Sequence, residues 1–368
     1  MSKALVLLSG GLDSMLAARI LMEQGVEVVG LSFKSVFFST DKARKSAEQL
    51  GINFIEADFT DEHLEMVKNP AHGYGKNMNP CIDCHTLMLR KAKEIMEGKS
   101  PLPPFVKGGK YDFVATGEVL GQRPMSQNKK ALEIVEKNSG LEGKLVRPLS
   151  AKLLNESESE KQGKLIRGKL LDISGRSRHR QLELVKKYGI KEFASPAGGC
   201  LLTDPEFSEK LLKILEFWPN CDANDITLLR YGRVFWLKTT SPQPSPYKGE
   251  GDKNILLIIG RDEKENESLK QSTKNGDIII ELVEENGPTS LLRIANYELP
   301  ARTEVRSGER ITNEVQEIQV PKELKMSELK LGEKKSEEEI VNLASILTGY
   351  YATKSRGKKI KLEIKKFN

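Results

Sequence analysis

Apolar residues fall in short blocks through the first sixty positions, and successive blocks differ in period. "ALVLLSG" (4–10) is a continuous apolar run closed by glycine, as in a strand buried on both faces. "LDSMLAARILMEQG" (12–25) then sets Leu12, Leu16 and Ile20 four apart with Met15 beside them, which predicts a helix stopped near Gly25. "VEVVGLSF" (26–33), "KARKSAEQLG" (42–51) and "INFIEADF" (52–59) repeat strand, helix and strand, and "YDFVATGEVL" (111–120) predicts one strand more. Strands alternating with helices predict an α/β fold, a parallel Rossmann-like sheet with crossover helices.

The texture changes after about 205–225. "ANDITLLRYGRVFWLK" (223–238), "NILLIIGRDEKENESLKQ" (254–271), "GDIIIELVEENGPTSLLRI" (276–294) and "KKIKLEIKK" (358–366) predict strands and turns, and "SEEEIVNLASILTGYYATK" (336–354) one helix with an acidic first turn. The expected organisation is a domain over 1–205, a linker over 206–224 and a smaller α+β domain over 225–368. A chain of 368 residues is long for one core, which agrees with two domains. Two proline-rich stretches, "SPLPPFVKGGK" (100–110) and "SPQPSPYKGEG" (241–251), read as related insertions in exposed loops.

Charged residues make up 30% of the chain and hydrophobic ones 38%, with a net charge of +6, an ordinary globular balance inclined toward an anionic partner. No apolar run reaches the roughly 20 residues of a membrane span. Four cysteines and no targeting segment point to the cytoplasm. A homodimer is compatible with the sequence.

The first chemical signal is "LSGGLDS" (8–14), at a strand-to-helix junction. Gly10 and Gly11 allow a tight turn that presents backbone N–H groups, and the helix beginning at Leu12 adds its positive end. Ser9 and Ser14 add hydroxyls. No Gly-Lys-Ser/Thr follows, so this is not the phosphate loop of kinases and GTPases, and it is not G-x-G-x-x-G. The second signal is cysteine. Cys81 and Cys84 open a helix in "NPCIDCH" (79–85), where a helix N-terminus lowers thiol pKa, and Cys200 ends "SPAGGC" (195–200). Three chemistries fit these residues: a zinc site, for which His85 would stand awkwardly on the helix; a dithiol passing a persulfide to a third thiol; and a three-cysteine 4Fe–4S cluster with one open iron.

The SGGxDS loop resembles the pyrophosphate loop of the ATP-pyrophosphatase superfamily. Loop, CxxC and distant cysteine together resemble the thiolation domain of 4-thiouridine and 2-thiouridine synthetases (ThiI and MnmA/TrmU types) over residues 1–205. The resemblance implies an ATP-dependent tRNA sulfurtransferase that adenylates a uridine carbonyl and replaces its oxygen with sulfur, releasing AMP and pyrophosphate. It implies that Ser9, Gly10, Gly11, Leu12, Asp13 and Ser14 hold the ATP phosphates with Mg2+, that Asp13 takes part in catalysis, and that Phe33, Thr116 and Gly117 face the nucleotide. It implies catalytic roles for Cys81, Cys84 and Cys200, here also the ligands of the 4Fe–4S cluster. "ISGRSR" (173–178) resembles a stretch of the same family, so Arg176, Arg178 and Arg180, with Arg123, are expected to meet tRNA phosphates. "YGRVFWL" and "ILTGYYATKS" resemble the RNA-binding NFACT-R domain, which makes Arg233 a further candidate. The partners expected are tRNA and a sulfur donor. Another ligase of the same superfamily, or a nucleotide-sensing RNA-binding protein without catalysis, would carry the same loop.

Overall fold

The computed structural model describes residues 2–99, 111–194, 200–240, 252–294, 311–329, 331 and 333–367. Both proline-rich stretches and the Ser-Pro-Ala-Gly-Gly run before Cys200 lie outside the described residues. The chain divides into two units between Ser208 and Glu209.

The N-terminal unit begins with β1 (Lys3–Leu7), α1 (Leu12–Met22), β2 (Glu27–Lys34), α2 (Asp41–Leu50), β3 (Asn53–Asp58) and α3 (Thr60–Lys68). It continues with α4 (Cys81–Met96), β4 (Phe113–Ala115), α5 (Lys129–Ser139), β5 (Leu145–Val146), α6 (Glu158–Lys161) and α7 (His179–Tyr188). The strands form one parallel sheet in the order β3-β2-β1-β4-β5. Strand side chains alternate between its faces. Ala4, Val6 and Phe113 pack with Leu12, Met15 and Leu16 of α1 on one face. Leu5, Val29, Leu31 and Val114 pack with Leu89 and Ile95 of α4 and Val135 of α5 on the other. The strand order reverses direction between β1 and β4, and at such a switch point the loops leaving the strands' carboxyl ends diverge and open a crevice.

The alternation read from the sequence over 1–60 matches these elements. Two expectations need correction. Strand β4 ends at Ala115, and Thr116–Leu120 leaves the sheet as a loop. The stretch expected as a linker holds α8 (Pro205–Phe217), with proline at its first position and a buried stripe of Phe207, Leu211, Ile214 and Trp218 at helical spacing.

The C-terminal unit comprises the rest of α8, α9 (Ala223–Leu228), β6 (Arg233–Thr240), β7 (Asp252–Ile259), α10 (Glu263–Gln271), β8 (Ile278–Leu282), β9 (Ser290–Ile294), β10 (Ile311–Gln319), β11 (Lys334–Lys335), α11 (Glu337–Tyr351) and β12 (Lys359–Phe367). Its sheet runs β10-β12-β8-β9-β7-β6-β11, antiparallel except for the β6–β11 pair. Ile340, Leu343 and Leu347 of α11 close one face over Leu237, Leu257, Ile280 and Leu362. Residues 263–271, expected in strands and turns, are helical: Asp262 accepts from Glu265 N and caps them. Residues 223–228 are likewise helical, closed by an Asp222–Asp225 capping box. No helix among the described residues is long and apolar enough to cross a membrane.

A buried cation fixes one corner of this unit. Arg293 is 4% exposed. Its guanidinium donates to Asp277 (2.6 Å), Asp225 (2.8 Å), Asn224 (2.7 Å) and the Ser272 carbonyl (2.7 Å). Removing one partner of such a group leaves buried carboxylates uncompensated. Arg293→Ala is therefore expected to destabilise the C-terminal unit by about 3–5 kcal/mol, read as a lower midpoint in denaturant unfolding followed by circular dichroism.

Candidate active site

Beyond β1, the chain turns through Ser9, Gly10 and Gly11 into α1. Gly10 has φ +75°, and a Cβ there would lie 2.4 Å from the Cβ of Lys42 and 2.6 Å from its carbonyl carbon. Only glycine fits that backbone at that distance. Within the turn, Ser14 Oγ donates to the Gly11 carbonyl (2.8 Å), and Gly11 N donates to Ser9 Oγ (3.3 Å). Gly11 stands at the cap position of α1 and supplies no side-chain cap, so the helix's first N–H groups face the crevice.

The loop leaving β4 closes on the first turn of α1. A Cβ on Gly117 would meet Ser14 N at 2.4 Å and the Asp13 carbonyl carbon at 2.5 Å, both backbone atoms. Next to it, the buried Glu118 accepts from Arg147 Nε (2.9 Å) and Thr116 Oγ1 (3.0 Å), and lies 2.9 Å from His85 Nδ1 on α4. Arg147 in turn reaches Glu136 (2.7 Å) and the Leu132 carbonyl (3.2 Å) on α5. Burial alone would raise the Glu118 pKa, but Arg147 and His85 outweigh it and hold the carboxyl well below its ordinary range. The network fixes the β4 loop against two helices.

Two more segments join. Gly175 N donates to the Leu120 carbonyl (2.7 Å), docking the ISGRSR loop on the β4 loop, and Arg178 then reaches Asp13 Oδ2 at 3.4 Å. Gln122 Nε2 donates to the same oxygen (3.2 Å). Asp13 Oδ1 is buried without a partner. Burial raises the Asp13 pKa, opposed by Arg178 and Gln122. Ala194 N donates to the Gly10 carbonyl (2.9 Å), which ties the chain at that point to the phosphate loop. Past Cys200, Leu201 N donates to the Phe37 carbonyl (3.1 Å), and Asn77 Nδ2 to the Thr203 carbonyl (2.7 Å).

This routing gathers the three cysteines. All three are free thiols, Cys84 buried and Cys81 and Cys200 partly so. Burial raises all three pKa values; charge on Cys200 and Cys81 pushes Cys84 further up, and Cys200 is pushed up to about 11. The thiolate expected from the helix N-terminus is thus not the resting form, because desolvation outweighs the helix end and the pull of Arg123 on Cys81. Arg123 also lowers the Asp13 pKa, though less than Arg178 and Gln122 do. Cys84 Sγ lies 3.3 Å from His63 Nε2, and His63 Nδ1 2.8 Å from Ser35 Oγ. His63 is fully buried against Phe59 (4.7 Å between centroids), and that desolvation holds its pKa down to about 4.

Not every expected residue joins the site. Phe33 is 3% exposed and turned against Phe59 (4.9 Å), committed to the core instead of offering a nucleotide its ring. Thr116 is buried with its hydroxyl on Glu118. Arg180 pairs with Asp172 (2.8 Å) on the surface, and Arg176 is exposed. Arg233, in the other unit, stacks its guanidinium 4.4 Å from the Tyr351 ring centre. Glu118, Arg147 and His63 escaped the sequence reading, since a single buried Glu, Arg or His leaves no spacing signal. No group of three or more His, Cys, Asp or Glu among the described residues is arranged to hold a metal ion.

Residues 1–156 match the family model described as thiamine biosynthesis protein (ThiI). A tRNA-specific 2-thiouridylase MnmA of Geobacter metallireducens is 32% identical over 119 residues, covering 25% of this chain and 32% of that protein. The MnmA of Clostridium acetobutylicum is 33% identical over 116 residues, covering 25% and 33%. The chain thus spans about a third of the length of the curated relatives it matches. A solved 4-thiouridine synthetase–RNA complex with bound ATP shares 20% identity at a TM-score of 0.35, covering 62% of this chain and 52% of that one, an overlap too loose to bear on function.

Two measurements check this geometry. Gly117→Ala should weaken ATP binding about tenfold or more in isothermal titration calorimetry, since the clash is with backbone that cannot turn aside. Alkylation of Cys200 by iodoacetamide should be slow at pH 7 and climb as pH approaches about 11, with peptide mass spectrometry as the readout.

Proposed function

We propose, from an N-terminal unit that belongs to the PP-loop tRNA-thiolation family, that the chain is an ATP-dependent tRNA sulfurtransferase. The observation that carries this reading is a phosphate loop and three cysteines in one unit, with Ala194 N bonded to the Gly10 carbonyl and mutual charge effects among Cys81, Cys84 and Cys200. An ATP-using ligase without sulfur chemistry would have no use for the second half of that site.

ATP phosphates would rest on the Gly10–Ser14 turn and the free N–H groups of α1. Asp13, with a buried oxygen lacking a partner, fits Mg2+, which would share the phosphate charge. Gly117 brings the β4 loop against the same turn, and Arg178 holds Asp13 from the far side. A uridine carbonyl oxygen attacks the α-phosphate, pyrophosphate leaves, and the base carries an adenylate. Arg123, whose charge lowers the pKa of both Asp13 and Cys81, would offset charge developing there.

The thiols suffice for the sulfur step. A persulfide on Cys81 or Cys200, charged by a sulfur donor, attacks the adenylated carbon through its outer sulfur and AMP leaves. A neighbouring thiolate then attacks the cysteine sulfur, freeing the thiouridine and leaving a protein disulfide that an external thiol reduces. Burial raises the pKa of all three thiols. The C-terminal unit is assigned to RNA from its resemblance to the NFACT-R domain.

Cys81→Ala, Cys84→Ala and Cys200→Ala should each abolish thiouridine formation, scored by mass spectrometry of tRNA nucleosides, while tRNA-stimulated AMP release persists. Full thiolation by Cys200→Ala would contradict the three-thiol site. Absence of AMP and pyrophosphate formation with tRNA in the wild-type chain would favour a nucleotide-sensing binding protein.

A further inference from the structure

Within the C-terminal unit, α8 and β6 bound a pocket of about 340 Å³ that the catalytic reading does not use. Its lining includes Lys213, Phe217, Val234, Trp236, Lys238 and Leu331. Alternation along β6 sends Phe235 and Leu237 into the core and leaves Trp236 half-buried and Lys238 exposed on the other face. On α8, Lys213 and Phe217 are four residues apart and share one face. Phe217 and Trp236 meet at 5.3 Å between ring centres, tilted by 59°. Lys213 Nζ stands 5.4 Å from the Trp236 ring centre and 5.9 Å from that of Phe217, and Lys238 Nζ 5.6 Å from that of Phe217. Asn254 Nδ2 donates to the Phe217 carbonyl (2.9 Å), which holds the last turn of α8 to β7.

We infer that this pocket binds one nucleotide of single-stranded RNA, its base against Trp236 and Phe217 and its phosphate between Lys213 and Lys238. The two rings supply a stacking surface every base can use, and the two ammonium groups supply the charge complement of a phosphate. Among the described residues no ion pair joins either lysine to a carboxylate. A duplex keeps its bases stacked on one another and cannot lay one on Trp236, which selects an unpaired segment. An acidic peptide would satisfy the lysines and leave the rings without a matching face. The choice of RNA rests on the proposed function, and binding is measured without ATP or turnover so that the two readings fail separately.

The test is anisotropy titration of the full chain with a fluorescein-labelled single-stranded oligouridine of about twelve nucleotides, with an RNA duplex of the same length and with polyglutamate. Trp236→Ala should weaken single-strand binding by about 5- to 150-fold, and Trp236→Phe, which keeps an aromatic face, by much less. The Lys213→Gln/Lys238→Gln double variant should lower the slope of log affinity against log salt by about 1.4. Tryptophan quenching by oligouridine should be largely lost in Trp236→Phe, which retains Trp218. Wild-type affinity in Trp236→Ala, an unchanged salt slope in the lysine variant, equal binding of duplex and single strand, or equal binding of polyglutamate would each overturn the inference. Should Trp236→Ala fail to fold, Trp236→Phe and the lysine variant still decide it.

Discussion

Gly117 lies so close to the first turn of α1 that a single added carbon would stand 2.4 Å from Ser14 N. That approach is the constraint on which the site depends. It follows from β1 and β4 being parallel neighbours at the point where strand order reverses, so that both loops leave from the same edge. The β4 loop then cannot stand off from the phosphate turn, and whatever it carries is delivered there. It carries Glu118, held ionised by Arg147 in the interior, then Gln122 on Asp13. Through Leu120 it also seats the loop bearing Arg178.

The thiols reach the same place by a second route. Cys81 and Cys84 arrive on α4, whose first turn is tied to the β4 loop through His85 and Glu118. Near Cys200, Ala194 bonds to the Gly10 carbonyl and Leu201 to the Phe37 carbonyl. Enclosure brings the sulfurs together and also suppresses their ionisation, since burial disfavours a thiolate more than the helix end favours it. Three thiols enclosed beside a phosphate turn, with burial raising each pKa, are the chemical character of the site.

Much of this was legible beforehand. The change of period at Leu12 marked the strand–helix junction, and two glycines at that junction marked an anion site, because few other residues tolerate the turn. Cys81 and Cys84 declared themselves by spacing. What stayed hidden depends on contacts between distant residues. Glu118 and Arg147 lie 29 positions apart and matter only as a pair. Phe33, read as facing a nucleotide, belongs to the core because Phe59 and α4 cover that side of the sheet. The helix at 205–217 was obscured by charged residues between its apolar positions, and α10 by the strand-like run before it, although Asp262 and Glu265 carry a capping signal. Strand β10 (Ile311–Gln319) has alternating polar residues that left it unassigned until its pairing with β12.

The most direct test is an experimental structure of the full chain with a non-hydrolysable ATP analogue. The account predicts the phosphates on the Gly10–Ser14 turn, with Gly117 against them and Arg123 between the nucleotide and Cys81. A nucleotide bound elsewhere, or a β4 loop moved away from Ser14 when the phosphates bind, would contradict it.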